Sequence, residues 1–340
     1  MSDTHVKRVD HIFKKANCRE VLDKIMDMKP DDICQELLES DLKGRGGAGF
    51  PTGVKWRYAA NEEDPVKYII CNADEGDPGA FMDRMLLESY PFRIIEGILI
   101  GAYAVGATEG RLYIRAEYPL AVKRIKEGLK ICKSRGLLGE NILGSDFSFE
   151  LKVFEGAGAF VCGEETALLN SIEGLRPEVR VRPPYPAQYG LYGKPTVLSN
   201  VETFANLNWI LKNGGKAYAE LGTKNSSGTK LVSLDSFFNQ PGMYEIEMGT
   251  SILTIFEEFG KGFKSNIKAM QIGGPLGGIV PLHKINDLTL DFESLHENGF
   301  LLGHASFVSI PVDFPMVKFI EHLMEFTADE SCGKCYPCRI

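Results

Sequence analysis

The sequence has no excess of positive charge. Its 340 residues include 38 lysines and arginines against 46 aspartates and glutamates, for a formal net charge of -8 at pH 7. Nucleic acids and anionic membrane surfaces attract proteins through clustered basic residues, and the sequence contains no such cluster. Neither kind of partner is therefore expected.

The sequence also lacks a secretory leader and a membrane-spanning run. The amino terminus has no apolar core of the kind that a signal peptide needs. The longest apolar run, residues 94–107, contains Glu96 and is too short to cross a bilayer, so it predicts a buried helix. We expect no direct membrane insertion and a cytoplasmic location, where the eight cysteines would be thiols or metal ligands rather than disulfides.

Histidine is scarce, whereas cysteine is concentrated at one place. The six histidines are scattered with no pair at ligand spacing, so histidine-centred chemistry is not expected. Cys332, Cys335 and Cys338 form a Cys-x2-Cys-x2-Cys run at the end of the sequence. Zinc and a four-iron cluster both suit such a run, and both take four ligands. The density of cysteines and the adjacent Pro337 favour iron and sulfur, with a zinc knuckle as the alternative.

Strand-like and helix-like segments alternate through the first two thirds of the chain. Residues 5–41 predict short helices, and the segments that follow predict a strand at 66–71, a helix at 91–107, a strand at 111–116, a helix at 119–135, a strand at 149–154 and a helix at 198–211. This alternation predicts an α/β fold with a Rossmann-like parallel sheet, which holds ligands at the carboxyl ends of its strands.

The pattern changes near residue 230. Short strands at 231–234, 242–247, 270–272 and 307–312 predict a small mixed domain, and a helix at 316–326 leads into the cysteines. We therefore predict an α/β domain at 1–230, a small domain at 231–312 and the start of a helical domain at 313–340.

A glycine-rich stretch covers residues 44–56. Five glycines within ten residues let backbone amides approach a phosphate closely, while Arg45 and Lys55 supply positive charge. Phe50 and Trp56 are interpreted as exposed rings that suit a flat aromatic ligand. The spacing matches neither the dinucleotide fingerprint nor the P-loop, and a flexible turn is the alternative.

Polar residues follow the predicted strands. The acidic loop at 72–77 could hold a divalent metal, cap a helix or bind sugar hydroxyls. Glu164 and Glu165 lie at a predicted helix start, as do Asn200 and Thr203, and each pair could cap its helix or bind a ligand. The residues alone leave both roles open.

These motifs together resemble one family, the NADH-binding flavoprotein (51 kDa-type) subunit of respiratory complex I and the diaphorase subunits of NAD-linked or electron-bifurcating hydrogenases and formate dehydrogenases. The resemblance is carried by five segments in order, which are GRGGAGFPTGVKW at 44–56, CNADE at 71–75, CGEETAL at 162–168, SNVET at 199–203 and SCGKCYPCR at 331–339. Residues 233–312 similarly resemble the small β-grasp domain of that family.

The resemblance implies three cofactors, FMN, NAD(H) and a [4Fe-4S] cluster. The implied FMN-binding residues are Gly44, Arg45, Gly46, Lys55, Asn72, Asp74, Glu75, Gly163, Glu164, Ser199, Asn200 and Thr203. The implied NAD-binding residues are Gly47, Gly49, Phe50, Tyr58, Asp77, Phe160 and Glu165. Phe50 would stack on the nucleotide, and Glu165 would meet the ribose, where a carboxylate repels the extra phosphate of NADPH. The implied cluster ligands are Cys332, Cys335 and Cys338, and we expect the fourth cysteine beyond Ile340.

The resemblance also implies a function. The chain would transfer a hydride between NAD(H) and FMN, in either direction, and pass single electrons to iron–sulfur clusters. Expected partners are other iron–sulfur subunits, including a small 2Fe-2S thioredoxin-like subunit and a hydrogenase, formate dehydrogenase or similar catalytic subunit.

Three positions depart from the family's usual residues, and they keep other interpretations open. Asp77, Phe160 and Ser199 stand where a glutamate, a tyrosine and an asparagine are usual. One alternative is therefore a non-catalytic electron-transfer or scaffold subunit that has lost NAD(H) use. Another is a zinc-stabilised nucleotide-binding protein.

Overall fold

The computed structural model describes residues 10–14 and 18–338. Two helices of the predicted amino-terminal group lie within this part, α1 (Cys18–Met26) and α2 (Pro30–Ser40). The prediction for residues 5–9 and 15–17 falls outside the described residues. Both helices bury an apolar face in the core of the first half of the chain, as their three- and four-residue spacing requires.

A four-stranded parallel sheet forms the centre of the first half. Its strands, in the spatial order β3-β2-β1-β4, are β1 (Tyr68–Ala73), β2 (Glu109–Arg115), β3 (Glu150–Gly156) and β4 (Thr196–Asn200). The predicted Rossmann-like α/β class is confirmed. The prediction of a helix from residue 198 is wrong at its start, because residues 196–200 pair with β1 and the helix begins only at Val201. A short apolar run does not by itself distinguish a buried strand from a helix.

Helices surround this sheet and enclose the main core. They are α3 (Thr52–Ala60), α4 (Met82–Ser89), α5 (Pro91–Val105), α6 (Pro119–Ser134), α7 (Glu165–Ile172), α8 (Val201–Asn213) and α9 (Gly215–Ala219). Helix α5 is almost entirely buried, as the apolar run predicted. Trp56 corrects the prediction of an exposed ring, because α3 directs it into the core against Phe204 and its side chain is fully buried.

A five-stranded mixed sheet forms the second half, in the spatial order β6-β5-β9-β7-β8. Its strands are β5 (Thr229–Leu234), β6 (Gly242–Glu247), β7 (Ile267–Ile272), β8 (Ile279–Pro281) and β9 (Ser306–Pro311). The sheet packs on α10 (Ile252–Thr254), which a π-helical turn at Ile255–Phe259 extends, and α11 (Phe292–Glu297) contributes Leu295 to the same core. One helix packed on a mixed sheet agrees with the expected β-grasp class.

Buried polar contacts join the halves. The Lys230 ammonium forms an ion pair with the Glu202 carboxylate of α8, and both side chains are fully buried. The other Glu202 oxygen accepts a hydrogen bond from Leu231 N at 2.7 Å. Glu245 of β6 accepts a hydrogen bond from Ile12 N at 2.9 Å.

Helix α12 (Met316–Asp329) leads from the second half into the cysteine run. None of its described residues is buried. Within residues 10–14 and 18–338, no helix has both the length and the apolar character that crossing a membrane requires. The division into domains near residues 230 and 312 stays a prediction.

Candidate functional site

The strand order reverses between β1 and β4. The chain places β2 and β3 on one side of β1 and then crosses to place β4 on the other side. Open parallel sheets bind ligands at the carboxyl ends of the strands where this reversal occurs. Asn72 of β1 and Asn200 of β4 are register partners there, and Asn72 Nδ2 donates to the Gly163 carbonyl at 2.9 Å. The fold therefore brings three predicted FMN-binding residues to one edge.

Asp74 has a buried carboxylate without a partner. Its side chain is 8% exposed, and neither oxygen has a hydrogen-bond partner in the described part of the chain. Burial raises the pKa of Asp74 to about 7, an effect that Arg115 opposes and that Glu117 and Glu330 reinforce. Because an unsatisfied buried carboxylate destabilises the protein, this position favours a ligand that donates hydrogen bonds.

The glycine-rich loop lies against the same edge. Arg45 N donates to Thr203 Oγ1 of α8 at 2.9 Å. A Cβ atom at the exposed Gly46 would come within 3.1 Å of Asn200 Cβ, so the missing side chain leaves space beside that asparagine. Gly44 N closes the loop by donating to Phe50 O at 2.9 Å.

Two further glycines of this loop approach the second half of the chain. Gly47 has a φ of 110°, and a Cβ there would lie 3.2 Å from Gly303 C. Gly49 has a φ of 64°, and a Cβ there would lie 3.0 Å from the Phe292 ring. These left-handed conformations and close approaches require glycine. Both positions therefore have a packing role beside their predicted role in NAD binding.

The guanidinium of Arg45 does not face the loop. It is fully buried and donates hydrogen bonds to four oxygens, which are Lys43 O, Ser227 O, Thr229 O and Tyr218 Oη. These partners engage the side chain inside the protein. The expectation that its charge would serve a phosphate is therefore wrong, and only the backbone of Arg45 lies with the loop.

Lys55 and Phe50 meet Glu165 at the surface of the first half. Lys55 Nζ donates to Glu165 Oε2 at 3.1 Å, and it lies 6.0 Å from the centre of the Phe50 ring. Phe50 and Tyr58 are 46% and 58% exposed, so both rings are accessible. The second oxygen of Glu165 accepts a hydrogen bond from Arg182 at 2.8 Å. Sequence reasoning missed Arg182, for which the only signal was a basic residue within the proline-rich segment.

Two predicted ligand residues cap helices. Glu164 accepts hydrogen bonds from two N–H groups in the first turn of α7, at 2.8 and 2.9 Å. Asn200 Oδ1 accepts one from Glu202 N at 2.8 Å at the start of α8. Ser199 lies in the core, and Trp56 Nε1 donates to its hydroxyl at 3.4 Å. The capping role is therefore observed, and a ligand role for these side chains stays a prediction.

Glu75 turns its side chain inward. One carboxylate oxygen accepts a hydrogen bond from Asp83 N at 2.9 Å, and the other accepts from Arg84 N at 3.1 Å, so Glu75 caps the start of α4. Tyr118 Oη donates to the same carboxylate at 3.2 Å, and His304 Nε2 of the second half lies 3.1 Å from it. Capping is thus the role of the acidic loop that the described structure supports.

Asp77 and Phe160 face other parts of the chain. The partly buried Asp77 carboxyl lies against Gly274 of the second half, where a Cβ atom would fall 2.4 Å from Asp77 Cγ. Phe160 contacts the last turn of α12, with its ring 5.2 Å from the Phe326 ring and its N–H donating to Glu330 at 2.7 Å. Of the predicted NAD-binding residues, Phe50, Tyr58 and Glu165 thus lie at the surface of the first half, whereas Asp77 and Phe160 contact other parts of the chain.

The cysteine run follows α12 and is anchored to the first half. Arg176 donates to the Cys332 carbonyl at 3.2 Å, and Lys334 lies 3.3 Å from Glu178. The three thiols are free and partly or fully exposed, but their three sulfur atoms do not all lie within 4.8 Å of one another in the described chain. A four-iron cluster takes four cysteines, so the donor type fits such a cluster.

Comparison with known proteins identifies the family. Residues 37–209, just over half of the chain, match the model described as the Nuo51 FMN-binding domain. The chain belongs to the Nuo51 FMN-binding family. Residues 318–340 also match the model described as the NADH-ubiquinone oxidoreductase-F iron-sulfur binding region. The resemblance to this family is therefore confirmed.

Individual relatives show how much of the family's length is covered. The chain is 47% identical to the NADP-reducing hydrogenase subunit HndC of Solidesulfovibrio fructosivorans, over 94% of this chain and 66% of that protein. It is 43% identical to a subunit of the NADH-quinone oxidoreductase of Rhizobium meliloti, over 91% and 74%. A crystal structure of NAD+-reducing [NiFe]-hydrogenase in the H2-reduced state matches with a TM-score of 0.86 at 36% identity, over 96% of this chain and 54% of that chain. The chain thus spans only part of the length of each of these relatives.

The residues at the sheet edge fit the FMN that this family binds. The unpartnered Asp74 oxygens can accept hydrogen bonds from hydroxyl groups, and the space beside Gly46 lets a ligand approach the backbone. Lys55, which is part-buried nearby, is a cation suited to a phosphate. Contacts with FMN would supply the hydrogen bonds that the Asp74 oxygens lack in the described chain.

Proposed function

We propose that this chain is the flavoprotein subunit of a multi-subunit redox complex and that it transfers a hydride between NAD(H) and FMN. The observation that carries the proposal is the buried carboxylate of Asp74, which has no partner among the described residues and lies two residues from Asn72 at the switch point of the sheet. The two Asp74 oxygens can therefore accept hydrogen bonds from a ligand at the edge of the sheet where this fold class binds nucleotides. Membership of an FMN-binding family points to the flavin.

FMN would be held by the edge of the sheet and the glycine-rich loop. Asp74 would accept hydrogen bonds, Asn72 and Asn200 would supply amide groups, and Lys55 would supply positive charge. Gly46 would leave room for the ligand to approach the backbone. Bound FMN takes up two electrons as a hydride and can release them one at a time.

NAD(H) would lie on the exposed surface of Phe50, Tyr58 and Glu165. The Phe50 ring is accessible for stacking on a flat ring of the nucleotide. Glu165 would accept hydrogen bonds from ribose hydroxyls and disfavour the extra phosphate of NADPH. Lys55 and Arg182 would hold the carboxylate in place and moderate its charge, because each forms an ion pair with it.

The [4Fe-4S] cluster would be bound by Cys332, Cys335 and Cys338 together with a fourth cysteine. The contacts of α12 with Phe160 support a position for this cluster beside the loop that follows β3. A cluster there would receive single electrons close to the flavin edge of the sheet.

The partners and the location follow from the same proposal. Two relatives are named as parts of a hydrogenase and of an NADH-quinone oxidoreductase. We propose that the partners include a small 2Fe-2S thioredoxin-like subunit and a hydrogenase, formate dehydrogenase or similar catalytic subunit. The complex would operate in the cytoplasm, where cluster thiolates stay reduced.

Rapid mixing of FMN-loaded protein with NADH, without oxygen, tests the proposal. NADH is expected to abolish the absorbance of the oxidised flavin. Phe50→Leu should slow this reduction at low NADH concentration, whereas Phe92→Leu, a change at a similarly exposed ring on α5, should not. A flavin that stays oxidised would instead indicate the non-catalytic subunit. Stoichiometric zinc without flavin would indicate the zinc-stabilised nucleotide-binding protein.

A further inference from the structure

His304 faces two buried carboxylates from the other half of the chain. Its Nε2 lies 3.1 Å from Glu75 Oε1 and 3.4 Å from Asp83 Oδ2, and all three side chains are nearly inaccessible to solvent. His304 lies just before β9, whereas Glu75 and Asp83 lie after β1 and in α4. One imidazole therefore meets two acidic groups where the halves join.

Asp83 connects this group to the predicted FMN site. Its Oδ2 accepts a hydrogen bond from Asn200 Nδ2 at 2.6 Å, while Asn200 Oδ1 accepts one from Glu202 N at 2.8 Å. A side-chain amide that has its oxygen and one N–H engaged in this way has a single orientation, and its second N–H remains for a ligand. An ionised Asp83 can only accept, so it specifies the nitrogen of Asn200 as its neighbour.

We propose that His304 is a positioning residue for the FMN site, because its imidazolium keeps Asp83 ionised and Asp83 in turn fixes the orientation of the Asn200 amide. The inference rests on the proposed function, in which Asn200 contacts FMN. His304 itself would not touch the flavin. The second half of the chain would thus control a ligand site that the first half carries.

The charges around His304 support its positive state. Glu75 and Asp83 face the ring, Asp77 is a further acidic group nearby, and Lys230 is the opposing cation. Burial lowers the pKa of His304, but the two facing carboxylates outweigh that effect and raise the pKa to about 10. The imidazolium is therefore retained across the neutral range and lost only as the pH rises through about 10.

Asp83 depends on that cation. Burial raises the pKa of Asp83, His304 opposes the shift, and the neighbouring charges of Glu75 and Glu202 add to it. Asp83 Oδ1 is buried without a partner in the described chain. Without the imidazolium, the pKa of Asp83 would rise further, and a protonated Asp83 could donate to the amide oxygen of Asn200, which weakens the constraint on its orientation.

FMN binding to His304→Gln across a pH series tests this inference. Affinity is measured on the full-length apoprotein by quenching of flavin fluorescence. Because Asp74 titrates near pH 7 in both proteins, the variant is compared with the wild type at each pH. The variant should bind about tenfold to a hundredfold more weakly at neutral pH and recover as the pH rises, because Asp83 then ionises without its partner. His296→Gln, at an exposed histidine on α11, should behave as wild type.

Asp83→Asn separates charge from packing. This variant cannot ionise, so it should bind FMN weakly at every pH, and adding His304→Gln should cause no further loss. Unchanged FMN affinity in His304→Gln overturns the inference, and so does a loss that is the same at every pH, which would indicate packing alone.

The protonation state of His304 gives a test that needs no variant. In 15N NMR spectra of the wild-type protein, both ring nitrogens of His304 should be protonated at neutral pH. A neutral ring overturns the inference even if the variants do not fold. Failure of the wild-type protein to bind FMN would contradict the proposed function instead, and the two failures are therefore distinguishable.

Discussion

Asp74 allows a quantitative test of the FMN site. Burial raises the pKa of this unpartnered carboxyl from an ordinary value of 3.8 to about 7. The folded protein without FMN therefore keeps this proton up to about pH 7, whereas the unfolded chain loses it near pH 3.8. Because the folded state binds the proton more tightly, the contribution of Asp74 to stability falls as the pH rises from about 4 to about 7 and is level above that.

Asp74→Asn removes this penalty. The difference between 3.8 and about 7, at about 1.4 kcal/mol per pH unit, sets an upper limit of about 4 kcal/mol on the stabilisation of the FMN-free variant at pH 8. At about pH 4 the variant and the wild type should be equally stable. The same change should weaken FMN binding about tenfold or more, because the carboxylate that accepts the ligand's hydrogen bonds is lost.

Urea unfolding of the FMN-free protein between about pH 4 and pH 8 measures the first effect, and flavin fluorescence measures the second. Asp313→Asn, at an exposed aspartate, is the matched control and should change neither. If Asp74→Asn is no more stable than wild type at pH 8, or if the difference does not depend on pH, Asp74 is not a buried carboxylate awaiting a ligand.

Three further predictions concern other contacts. Lys230→Met leaves Glu202 buried without its ion-pair partner and should lower the free energy of unfolding by about 3 to 5 kcal/mol in urea titrations. Lys212→Met, at a half-exposed ion pair, should lower it by only about 0 to 1 kcal/mol. Equal losses would contradict a stabilising role for the Lys230–Glu202 pair between the halves. Glu165→Gln should raise the ratio of kcat/KM for NADPH to that for NADH, about tenfold in steady-state assays, and an unchanged ratio would remove Glu165 from the ribose site. Cys335→Ser should abolish the electron paramagnetic resonance signal of the reduced cluster while NADH still reduces the flavin, and a retained signal would exclude Cys335 as a ligand.

Local patterns in the sequence identified most of the elements near the site. The apolar run at 94–107 predicted the buried helix α5, and the alternation of strands and helices predicted the parallel sheet. The glycine-rich stretch and the segment that contains Asn200 were both predicted as ligand segments, and the fold places them side by side. The predictions of the elements succeeded because periodicity acts on neighbouring residues, whose geometry the local backbone determines. The ligand roles of the two segments stay predictions.

Side-chain directions were less accessible to the same reasoning. Arg45 and Trp56 were interpreted as residues that face a ligand, yet both are fully buried. Exposed residues lie close to each of them in the chain, Gly46 next to Arg45 and Tyr58 two residues after Trp56, and composition alone does not tell which side of the backbone faces the core. Strand β4 was missed for a related reason, since its pairing with β1 involves residues far apart in the chain.

By itself the sequence determined the α/β class and the family, because these depend on local patterns and motifs. The tertiary structure alone decided which charges meet. Glu75 and His304 are 229 residues apart, and no spacing rule connects them. Their contact exists because the two sheets dock with β9 beside the carboxyl end of β1, where burial strengthens the attraction between an imidazole and two carboxylates.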